Sequence, residues 1–149
     1  MLRYHEIGEL HKDFHGSTNT TIDYIIKNYG EGVLEEIFKT TGQNVYKSIH
    51  EKLKNGNISE LVEHLSYFYN REGAKFDLKL TTDEVVITVH ECPAIAHLKK
   101  LGVPVSPFFC RSTTSLNAAL CEGTPWKTET TKTGEGACVQ RFYREHESK

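Results

Sequence analysis

The chain has 149 residues, 38% hydrophobic and 26% charged, with a formal net charge of -2, the composition of an ordinary globular protein that fills one domain over 1–149. Basic residues are interleaved with acids and form no stripe, which argues against a nucleic-acid surface. No apolar run nears the roughly 20 residues that span a bilayer.

Met1–Glu6 lacks the apolar core of a signal peptide, so a cytoplasmic location is expected. The four cysteines, Cys92, Cys110, Cys121 and Cys138, form no Cys-x-x-Cys pair. That favours free thiols over a disulfide framework, and the spacing matches no zinc ribbon or finger.

In chain order, Ser17 or Thr18 is the expected cap of a helix carrying Ile22, Ile25, Ile26 and Tyr29 and ended by Gly30. A longer helical pattern runs from Glu31 to Leu53, divided near Gly42 and closed by Asn55-Gly56-Asn57. Asn57 or Ser59 then caps a helix with Leu61, Val62, Leu65, Phe68 and Tyr69, stopped by Gly73, whose stripe reads as core. Phe76, Leu78 and Leu80 alternate with polar residues as a half-buried strand, and Thr82-Asp83-Glu84 turns it into a second, β-branched strand. Short helices follow at Ala94–Leu101 and Ser112–Cys121, ended by Gly102 and Gly123. A second hairpin runs from Pro125 to Thr131 and from Ala137 to Arg144 around Lys132–Gly136. The expected fold class is α+β: N-terminal helices, then two β-hairpins forming an antiparallel sheet, with two short helices between the hairpins.

Cys92-Pro93 stands where a strand pattern gives way to a helix pattern. Pro93 suits the first helical turn, which places Cys92 at or beside the N-cap, where unpaired N–H groups and the helix dipole favour a thiolate. His90, two residues earlier, shares a face with Cys92 if the strand continues. A thiol beside a histidine at a helix start is a candidate nucleophile or metal ligand; a buried, inert cysteine is the alternative.

Cys92, Cys110 and Cys138 each follow a turn or loop and can meet at one end of the sheet. With His90, His97 or Glu129 they would supply ligands for zinc; otherwise they are small apolar fillers of the core. His11 and His15, four apart, would share one helical face in a geometry that can hold a metal, but read better as surface residues. Arg111, Arg141 and Lys127 are candidates to hold a substrate carboxylate, with solvated surface charge as the alternative. Trp126 suits a pocket wall or the core. Lys132–Gly136 lacks the length of a P-loop and reads as a hairpin turn.

The segment Thr130-Thr131-Lys132-Thr133-Gly134-Glu135-Gly136-Ala137-Cys138-Val139-Gln140-Arg141-Phe142 resembles the ending of L-2-amino-thiazoline-4-carboxylic acid hydrolase-like proteins. Cys92-Pro93, Cys110 after a variable loop, and the order of helices and hairpins are also similar to the broader 4-vinyl-reductase-like domain group. The resemblance implies a pocket between sheet and helices and hydrolysis of a cyclic C–N bond in a carboxylated substrate. Cys92 would then be the nucleophile or a metal ligand, His90 or His97 would move protons, and Arg111 or Arg141 would bind the carboxylate. Sensor domains of the wider group imply instead a non-catalytic small-molecule site with structural zinc held by cysteines and a glutamate. This chain departs from that zinc pattern, having no cysteine between Trp126 and Gly136. A third reading is an interaction module that uses its helical face, as a homodimer.

Overall fold

Glycines at the expected stops divide the N-terminal half into helices in the computed structural model, which describes residues 12–145. Gly30, at φ 84°, donates its N–H to the Ile25 and Ile26 carbonyls and ends α1 (Phe14–Tyr29). The helix starts ahead of its expected caps: Ser17 and Thr18 lie inside it, because His15 and Asn19 are buried and hold the first turn against the rest of the protein. Helix α2 (Glu31–Thr40) runs into a π-helical turn, Thr41–Val45, before α3 (Lys47–Lys54). That turn is where the long helical pattern divides. Gly42 sits there so close to a later helix of the chain that a Cβ would lie 2.9 Å from the Ala119 Cβ.

Asn57 accepts the Ser59 N–H at 2.9 Å and starts α4 (Ser59–Arg71). Gly73, at φ 70°, closes it with Ala74 N–H to Tyr69 O and Gly73 N–H to Asn70 O, a Schellman stop. Strands β1 (Lys75–Leu80) and β2 (Glu84–Glu91) form the first hairpin. Helices α5 (Pro93–Lys100) and α6 (Arg111–Cys121) follow, and β3 (Lys127–Gly134) and β4 (Ala137–Tyr143) form the second hairpin.

The strand order β1-β2-β4-β3 joins the two hairpins into one antiparallel sheet. The architecture is thus α+β, with helices between the hairpins. Val85, Ile87 and Val89 of β2 and Phe142 of β4 point inward at 1% exposure or less, against Ile49, Leu53, Leu61 and Leu120 from the helices. A second apolar cluster joins Ile22, Leu34, Ile95, Leu98 and Phe109. Cys92 packs against both clusters, at the seam.

Alternation along the strands decides the fate of two expected site residues. With Val89 inward, His90 points outward and bonds Asp77 at 2.6 Å on the solvent face. The chain leaves the sheet after Glu91, so Cys92 is aimed by its cap geometry and not by the pleat. With Gln140 and Phe142 inward, Arg141 also points outward, bonded to Glu84 at 2.5 Å and lying over the Tyr143 ring.

No helix among the described residues is long and apolar enough to cross a membrane. Met1–Glu6 and His11, weighed above, lie outside the described residues.

Candidate functional site

A cavity of about 560 Å³ opens between the sheet and the helices. Its aromatic wall is built from α1, the junction before α3, α4 and the loop before α6: Phe14, Tyr46, His64, Phe68, Tyr69 and Phe109. Helix α4 and its C-cap turn one stripe inward, since residues 64, 65, 68, 69 and 72 repeat at helical spacing. The loop after α5 is fixed by Asn19, which donates to Pro104 O at 2.9 Å and accepts from Ser106 N at 2.8 Å. That clamp sets Val105, Ser106 and Pro107 as a side of the cavity.

Cys92, Cys110 and Cys138 all line this cavity. Cys92 is the N-cap of α5 with Pro93 at the first helical position, and its own N–H donates to Gly136 O at 2.7 Å. Amides of Ala94 and Ile95 favour its thiolate, but burial outweighs them and raises its pKa. The neighbouring Cys110 and the Glu72 carboxylate act in the same direction. Burial likewise raises Cys138, against a hydrogen bond from Gln140. Cys110 is exposed at the rim, whereas Cys121 lies in the core with its thiol pushed up to about 12 by burial.

The polar wall holds a pair with no signal in the local sequence. His15 Nε2 is hydrogen-bonded to Glu72 Oε1, with both residues buried and both on the cavity surface. Lys12 caps the arrangement by donating to the Glu72 main-chain oxygen at 2.7 Å. His64 sits edge-on between Tyr46 and Phe68, and burial lowers its pKa to about 4 despite Glu60 nearby.

The remaining expected site residues lie elsewhere. His97 pairs with Asp13 at 3.1 Å and faces a separate hollow of about 200 Å³. Both ends of the Arg111 guanidinium are taken, by Glu35 at 2.5 Å and Glu31 at 2.9 Å, which ties α6 to α2. Trp126 is 2% exposed in the sheet core, where Arg144 lies over its ring. Lys132 of β3 is, among the described residues, the lysine or arginine that lines the cavity. Among the described residues no three His, Cys, Asp or Glu side chains are disposed to hold a metal ion.

No family model matches this sequence, and no curated protein matches it.

Proposed function

We propose that the protein is a small-molecule hydrolase that opens a cyclic C–N bond of a carboxylated substrate. One observation carries the reading: a single cavity takes its wall from a cysteine at a helix start and from a buried imidazole–carboxylate pair. The proton-moving role passes from His90 and His97 to His15, held in place by Glu72. Carboxylate binding passes from the arginines to Lys132.

In this scheme His15 accepts the Cys92 proton, directly or through one water, as sulfur attacks the amide-like carbon. Collapse of the tetrahedral adduct breaks the C–N bond, and the imidazolium returns the proton to the leaving nitrogen. Water, deprotonated by the same imidazole, then cleaves the covalent sulfur adduct, and the imidazolium returns that proton to the departing sulfur to restore the thiol. The net change is addition of one water. The elevated Cys92 pKa makes the base necessary, because little thiolate forms unaided.

That same elevation, shared by Cys138, favours a second reading in which the cavity binds a ligand without turning it over. Incubation with 2-amino-thiazoline-4-carboxylate, read by mass spectrometry for gain of one water, separates the two. Turnover that disappears in both Cys92→Ala and His15→Ala, with binding retained, supports the hydrolase. Binding without turnover in the wild type supports the second reading, and absence of both removes this substrate class.

A further inference from the structure

Gln140 lies on the inner face of central strand β4, at 1% exposure, and its side chain reaches the cavity. A buried primary amide needs partners at both ends. Its oxygen accepts from Asn117 Nδ2 of α6 at 2.9 Å, and its nitrogen donates to Tyr69 Oη of α4 at 2.7 Å. A longer contact of 3.8 Å reaches Cys138 Sγ. Asn117 is itself 4% exposed, so the chain of hydrogen bonds runs from α6 across the sheet to α4 inside the protein.

This polarity has a consequence for the phenol. Tyr69 Oη receives a hydrogen bond from Gln140, so its own proton points away from the amide. No other group among the described residues takes that proton, and Tyr69 is part of the cavity surface. Burial raises the phenol pKa well above its ordinary value, so the proton is retained. A ligand oxygen within reach of that proton gains a hydrogen bond that the aromatic walls cannot supply.

We propose that Tyr69, aimed by Gln140 and Asn117, is the donor that selects ligands presenting a carbonyl or carboxylate oxygen to the sheet side of the cavity. The ligand class that follows is a flat body with an oxygen acceptor on its sheet side, since that acceptor meets Tyr69 while Phe14, Phe68 and Phe109 cover its apolar faces. The inference rests on the cavity being the ligand site and holds whether or not the ligand is turned over.

The test compares acetonaphthone with isopropenylnaphthalene, near-isosteres in which a carbonyl replaces a methylidene, by fluorescence titration of the full chain. The quantity read is the ketone-to-hydrocarbon affinity ratio. Tyr69→Phe lowers that ratio about threefold to tenfold, the range of one neutral hydrogen bond, while hydrocarbon affinity holds. Gln140→Met lowers it as well, because the hydroxyl is no longer aimed. An unchanged ratio in Tyr69→Phe, with the hydrocarbon still bound, overturns the Tyr69 assignment alone. A wild-type protein that binds neither probe overturns the cavity as a ligand site.

Discussion

Mild acid weakens this protein through His64. The imidazole is 8% exposed, and burial holds its folded-state pKa at about 4 against an ordinary value of 6.5. The folded value is the lower one, so the unfolded chain takes up the proton first as pH falls. The stability that goes with the neutral ring is therefore complete above the ordinary value and is lost progressively toward the folded one. Between about pH 7 and about pH 5 that linkage amounts to about 2 kcal/mol. The perturbation is His64→Phe, which keeps a ring between Tyr46 and Phe68 but removes the titration. Urea unfolding at a series of pH values measures it. Whatever the variant's stability at neutral pH, its fall on acidification is shallower than the wild type's by about 2 kcal/mol. Parallel pH curves for the two proteins would refute the assignment of a desolvated, neutral imidazole.

Two further outcomes follow from the packing. A thiol reagent reacts first at exposed Cys110, more slowly at Cys92 and Cys138, and at Cys121 only on unfolding; peptide mapping of the labelled protein reads the order, and a cavity ligand slows the middle pair further. Gly42→Ala drives a methyl to 2.9 Å from the Ala119 Cβ and 3.3 Å from the Leu120 nitrogen. The overpacking costs about 1–3 kcal/mol in thermal unfolding, and Ala119→Gly in the same chain restores most of it.

Chain punctuation made much of the fold legible. Gly30, Gly73, Gly102 and Gly123 all take positive φ just past helix ends, where only glycine is at ease. Alternation placed Val85, Ile87 and Val89 on one face. The gathering of Cys92, Cys110 and Cys138 around one hollow was open to sequence reasoning because each follows a turn. The His15–Glu72 pair was not, since its members lie 57 residues apart and no local pattern reports a tertiary partner. His64 was hidden within a stripe that reads equally as core. Arg111 and Arg141 look like substrate cations until glutamates from α2 and β2, brought up only by folding, occupy them.

Cys92 touches two apolar nuclei, one under the sheet and one among α1, α2 and α5, and the hollow lies along the line between them. A molecule lodged there bridges halves that are otherwise stitched mainly where α2 runs along α6. Occupancy then acts like a rivet, making the two halves melt together instead of one loosening ahead of the other.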